Sequence, residues 1–172
     1  MIIKDGRDQT STIKEVEETQ HHFHNIERWF GVHGAPSATR WGTVSTLGAY
    51  NVFSGDNTWG PFASILGSSD TPVLSGKKYF DPHQIMVVDV SHSTKYRFRM
   101  LWGAATTTAL ANGDWSETIL KFDELNPQQS AGIPFMFKSK RIAAGTKVWA
   151  QTWNVTNGAT VDLFVGIHEY HI

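Results

Sequence analysis

The chain contains no cysteine, which excludes disulfides, thiolate metal sites and a cysteine nucleophile and leaves the fold to rest on packing alone. Charge is scarce too. Only 18% of the 172 residues are charged and the net charge is −1. The Lys and Arg are scattered, without the basic stripe that follows a phosphate backbone, so direct binding of nucleic acid is not expected. No eighteen apolar residues run together, and the segment Met1-Ile-Ile-Lys-Asp lacks the apolar core of a signal peptide. The expectation is a protein made in a cytoplasm that neither spans a membrane nor leaves by that route.

What the chain has in quantity is aromatic residues and glycine. Seven Trp and ten Phe sit within a hydrophobic share of 40%, with fifteen Gly besides, the texture of aromatic strands joined by Gly-rich turns. A single domain of this size buries roughly 70% of its unfolded surface, enough for a core without staples.

Ser11–Phe30 holds neither Gly nor Pro and is flanked by Gly6 and Gly31. Ile13, Val16, Gln20, Phe23, Ile26 or Glu27, and Phe30 recur at steps of three and four, which predicts an amphipathic helix with Ile13, Val16, Phe23 and Phe30 on a single stripe. That stripe either lies on its own domain or pairs with other subunits. The boundary falls near Gly31, giving an arm at 1–31 and a β-domain at 32–172.

Beyond it, period-two runs predict about eight strands: Val44–Phe53, Phe62–Leu66, Gln84–Val90, Thr94–Trp102, Trp115–Phe122, Ile133–Lys138, Thr146–Val155 and Thr160–Tyr170. Tyr96, Phe98, Met100 and Trp102 share a core face, opposite Lys95, Arg97 and Arg99. Ala104–Ala111 offers at most one short helical turn. Asn157-Gly158 is the best hairpin signal in the chain. Eight antiparallel strands in two sheets describe a jelly-roll-like all-β sandwich, with an immunoglobulin-like sandwich as the alternative.

No sequence pattern for catalysis stands out. G-x-S-x-G, P-loop and G-x-G-x-x-G motifs are all missing. His83 and His92 read as isolated single histidines, so the paired histidines of a metal-dependent cupin are lacking. His168-Glu169-Tyr170-His171 is not H-E-x-x-H and chelates poorly from an extended strand. His21, His22 and His24 read as a solvated or interface-facing surface of the helix. Asp114, Glu117, Asp123 and Glu124 read as a solvated rim rather than a glycosidase pair. Three inward-facing His or carboxylates meeting in one pocket would be the sign of an enzyme. Neither cofactor nor metal is expected. The tryptophans, Trp149 and Trp153 above all, which share a face with Gln151, suit either a core, an inter-subunit contact or a sugar-stacking surface.

The segments His21–Gly31 (HHFHNIERWFG), Leu66–Pro72 (LGSSDTP), Lys78–Ile85 (KYFDPHQI), Ala143–Trp153 (AAGTKVWAQTW) and Phe164–Tyr170 (FVGIHEY) resemble small structural virion proteins of tailed bacteriophages, over about residues 15 to 171. The resemblance implies a jelly-roll head decoration or cement protein. Such a protein sits as a trimer on the capsid surface, with the major capsid protein and its own copies as partners. The arm, through Ile13, Val16, Gln20, Phe23, Ile26 and Phe30, would then contact capsid or sister subunits. A carbohydrate- or receptor-binding module of a tail fibre is the alternative.

Overall fold

The computed structural model describes residues 28–31, 49–66, 78–122 and 134–170. These residues form eleven strands and one helix: β1 (Arg28–Phe30), β2 (Tyr50–Asp56), β3 (Thr58–Trp59), β4 (Ala63–Leu66), β5 (Tyr79–Val90), β6 (Lys95–Gly103), α1 (Thr106–Asn112), β7 (Trp115–Lys121), β8 (Pro134–Met136), β9 (Ile142–Ala143), β10 (Lys147–Asn154) and β11 (Thr160–Tyr170). The all-β expectation holds, and each of the eight expected strands has a counterpart. Their arrangement is a curled mixed sheet, a half-barrel, in the order β7-β6-β10-β2-β11-β5-β8.

The sheet curls because its strands alternate apolar and polar residues and the apolar faces meet in one core. Tyr96, Phe98, Met100 and Trp102 of β6 do point inward, joined by Val148 and Ala150 of β10 and by Val161, Leu163, Val165 and Ile167 of β11. Aromatic edges interlock there, Tyr96 with Phe122 and Phe98 with Phe137, at ring separations of 5.7 and 5.9 Å. Tyr50 buries its ring in the same core and donates its hydroxyl hydrogen to the Ile65 carbonyl at 2.6 Å, which satisfies a polar group that burial would otherwise penalise.

Two expectations need correction here. Asn157-Gly158 does not close a hairpin between β10 and β11, because β2 lies between those strands. A type I′ turn needs positive φ at both central residues, and of the two only Gly158 has it, at 68°. The turn instead grips β2: Ser54 N donates to the Ala159 carbonyl at 2.8 Å, and Gly158 N donates to the Ser54 carbonyl at 3.2 Å. From this follows the second correction, that the sheet is not wholly antiparallel. β10 and β11 run in opposite directions on either side of β2, so β2 must be parallel to one of them. It pairs antiparallel with β11 over Tyr50–Phe53 and parallel with β10 over Ser54–Asp56.

The helix expected over Ser11–Phe30 also changes at its end. Arg28–Phe30 is strand, paired antiparallel with Ile167–Val165 of β11. The β2 pairing with β11 stops at Leu163, which leaves the rest of that edge to β1, and a non-local ladder outweighs the local helical period of three aromatic-rich residues. Ile13, Val16, Gln20, Phe23 and Ile26 lie outside the described residues, as do His21, His22 and His24. The Ala104–Ala111 turn is realised as α1, two turns long and closed by Gly113 in the left-handed conformation, φ 70°.

Asn57, at φ 47°, turns β2 into β3, and Gly60 then passes directly over β2. A Cβ at Gly60 would lie 1.9 Å from the Phe53 carbonyl oxygen, a backbone atom with no freedom to yield. Gly60→Ala is therefore expected to destabilise the protein by about 3 kcal/mol, the upper part of the range for overpacking. Gly145→Ala, strained at φ 83° but with open space around its Cβ, is expected to cost only about 1 kcal/mol. Urea unfolding of the two variants checks the order.

Candidate functional site

Two surfaces of the sheet carry chemistry that the core does not use. One is the outer face of β7, β6 and β10. In-register antiparallel neighbours share a face, so the pairings align three rows: Trp115, Leu101 and Trp149; Glu117, Arg99 and Gln151; Ile119, Arg97 and Trp153. Trp59 of β3 lies over the arginines, its ring 4.0 Å from the Arg99 guanidinium and 5.2 Å from that of Arg97. The expected common face of Trp149, Gln151 and Trp153 is thus observed, with both indoles half-buried.

Gln151 is the fixed point of this face. It is 4% exposed, its Oε1 accepts two hydrogen bonds from Arg99 at 3.0 and 2.7 Å, and its Nε2 donates to the Gly60 carbonyl at 2.7 Å. Burial lowers the Arg99 pKa, Glu117 opposes that shift, and Arg97 adds to it. Glu117 in turn accepts from Arg97 Nε at 2.6 Å, and Asp114 is paired with Lys140. The carboxylates at positions 114 and 117 are therefore ion-paired; those at 123 and 124 lie outside the described residues.

The second surface is the outer face of the β5–β11 ladder, and the sequence alone did not reveal it. Asp81 lies directly opposite His168 in the register, with His83 two residues along β5. The imidazoles of His83 and His168 stack with centroids 3.6 Å apart and planes inclined by 16°. His168 Nδ1 is 3.5 Å from Asp81 Oδ1, while the other carboxylate oxygen, Oδ2, accepts from the Tyr170 hydroxyl at 2.9 Å. Arg141 lies 4.3 Å from the centre of the Tyr170 ring. One potential ligand atom from each of Asp81, His83 and His168 falls within 4.8 Å of the other two, and among the described residues no other trio of His, Asp or Glu gathers this closely.

A β-bulge builds this arrangement. Gly166 pairs with Gln84 and Ile167 with Pro82, so His83 is the extra residue on β5. The carbonyls of Pro82 and His83 consequently both face the segment after β8, where they accept from Ser139 Oγ at 2.9 Å and Phe137 N at 2.6 Å. Within a strand the nitrogen and carbonyl of one residue face the same edge. The missing N–H of Pro82 therefore falls in the gap between β8 and β9, where no ladder hydrogen bond is lost.

His83 is thus not isolated, and His168 meets it across strands rather than along one. His92 stays apart, bonded to Ser91 Oγ at 2.9 Å. The trio lies on the sheet's outer side, away from the apolar core. Comparison with protein-family models, curated proteins and solved structures finds no match.

Burial, and after it the Asp81 charge and hydrogen bond, push the Tyr170 hydroxyl well above the ordinary phenol range, against the pull of Arg141. An acid whose folded pKa is raised contributes stability below its unfolded pKa and loses it as pH climbs from there toward the folded value. Stability is accordingly expected to fall above pH ~10. Tyr170→Phe should cost about 1–2 kcal/mol at neutral pH and flatten that alkaline limb, as read by urea unfolding at neutral and alkaline pH. Tyr96, also raised by burial, supplies the part of the limb that persists.

Proposed function

We propose that the chain is a non-enzymatic structural protein of a phage virion, a capsid decoration protein that stabilises the head by binding the capsid lattice as a homotrimer. The observation that carries this reading is the outer face of β7, β6 and β10. β6 and β10 already bury their other face in the core, and β7 buries Leu120 there, so the outer face, with Trp115, Trp149, Trp153, Arg97 and Arg99 and with Trp59 over the arginines, is left for a partner. Trp115 is 39% and Ile119 65% exposed. Tryptophan and arginine concentrate binding energy in protein interfaces, and here the arginines are held by Gln151, Glu117 and Trp59, so less side-chain freedom is lost on docking. The segments that resemble phage structural proteins supply the setting, with the major capsid protein as partner on the virion surface.

The finer fold we propose is a jelly-roll-like sandwich, in which β2 passes from one sheet to the other at Phe53–Ser54; its change of partner there supports that reading. The N-terminal segment, through Ile13, Val16, Gln20, Phe23 and Ile26, is proposed as the arm that reaches capsid or sister subunits. Phe30 belongs to β1, so the arm ends before residue 28.

A second reading, a carbohydrate- or receptor-binding module of a tail fibre, draws on the same co-facing tryptophans, whose rings stack on sugars. The purified chain is expected to be trimeric in light scattering and to decorate capsids that lack it. The double variant Trp115→Ser, Ile119→Lys should reduce capsid occupancy roughly tenfold or more, as loss of an interface anchor does, while the melting transition changes little. A monomer that leaves capsids bare and binds on a glycan array selects the second reading. Deletion of residues 1–27, which spares β1, is expected to weaken capsid binding without unfolding the β-domain; unchanged binding would remove the arm from the proposal.

A further inference from the structure

We propose that Asp81, His83 and His168 bind one divalent transition-metal ion through two imidazole nitrogens and a carboxylate oxygen, with the remaining coordination positions open to water or a small ligand. The site is independent of the capsid-binding reading, since it lies on the β5–β11 ladder rather than on the tryptophan and arginine face.

The donor set comes first. Two imidazoles and one carboxylate suit zinc, cobalt, nickel or ferrous iron, whereas magnesium and calcium take oxygen donors. Three protein ligands, rather than four, are the number found in sites that keep an exchangeable position. Distance comes second. Bonds of about 2.0–2.1 Å place donors roughly 2.8–3.4 Å apart in octahedral or tetrahedral geometry. The three atoms already lie within 4.8 Å of one another, and turning the stacked imidazoles of His83 and His168 out of their parallel arrangement would aim both nitrogens at one ion beside the Asp81 carboxylate.

Support comes third. Asp81 and His168 are opposed in a ladder of ten register pairs, and the bulge at His83 sets the second imidazole beside the first. Tyr170 holds Asp81 Oδ2, which turns Oδ1 toward the histidines, the part that hydrogen-bonded outer residues play around metal ligands. The side chains of His168 and Asp81 are 13% and 17% exposed: sheltered enough to favour an ion over bulk water, open enough to admit one.

The test uses the full, tag-free chain, stripped with a chelator and titrated with Co²⁺ and with Zn²⁺. One equivalent is expected to bind, with a Co²⁺ d–d absorption band and a rise in melting temperature. Cu²⁺ in the same site should show two coordinated imidazoles by pulsed electron paramagnetic resonance. His83→Asn and His168→Gln, chosen to keep size and polarity, should each weaken binding by well over roughly tenfold, and Tyr170→Phe by about tenfold. His92→Ala and the triple variant His21→Ala, His22→Ala, His24→Ala should bind as the parent does. Binding that survives in the His83→Asn, His168→Gln double variant overturns the proposal, and so does a parent chain that takes up no metal saturably. Should the variants fail to fold, the Cu²⁺ spectrum of the parent decides, because a signal without two imidazoles rejects the site.

Discussion

The pairing of β5 with β11 sets the phase of everything around it. β11 keeps strict alternation, with Val161, Leu163, Val165 and Ile167 all inward. β5 does not. Phe80 and Ile85 both reach the core although they stand five positions apart, and Val90 packs against it three positions after Val87. An odd spacing on one face requires an extra residue each time, and the register slips at His83 and Val88 supply both. The inner face is kept apolar by these slips, and the outer face gains the junction of Asp81, His83 and His168 as a by-product. Core and candidate site thus share one geometric cause.

A different economy holds on the other half of the sheet. The buried polar side chains of β10, Gln151, Thr152 and Asn154, each find a partner, as low dielectric surroundings demand. Asn154, fully buried, donates to the Lys95 carbonyl at 3.2 Å and accepts from Thr156 N at 2.7 Å. Gln151 ties β6 to the loop after β3. The outer face is consequently ordered before any partner arrives, and its arginines lie against an indole ring rather than extending freely into solvent.

Much of the fold was legible from period-two patterning, because each strand buries one face and the inward residues of β6, β10 and β11 announce themselves. What was not legible has identifiable causes. β5 begins at Tyr79 rather than Gln84, and Pro82 within a run reads against a strand; only the gap between β8 and β9 makes it tolerable. With the expected strand begun at Gln84, Asp81 and His83 had no face to share, and nothing in sequence spacing could bring His168 to them from 85 and 87 positions away. Trp29 and its neighbours read as helix because their local period was helical, while the edge that recruits them as β1 belongs to a strand near the other end of the chain. The Asn157-Gly158 signal was sound as a turn. It failed as a hairpin because a turn records how the chain reverses, not what is inserted between the two arms.

That insertion has a consequence for how the protein is made. β2 emerges from the ribosome more than ninety residues ahead of the strands that flank it, since Tyr50–Asp56 sits between Lys147–Asn154 and Thr160–Tyr170. Until Thr152–Asn154 are synthesised both edges of β2 lack their final neighbours, and the second edge waits further for Thr160–Leu163, so the sheet cannot close by adding strands in the order of translation. Closure of loops this long precedes any reward from the contacts they bring. Closure of the sheet around β2 is thereby deferred until β10 and β11 have been made, an interval in which a holding chaperone has its clearest use.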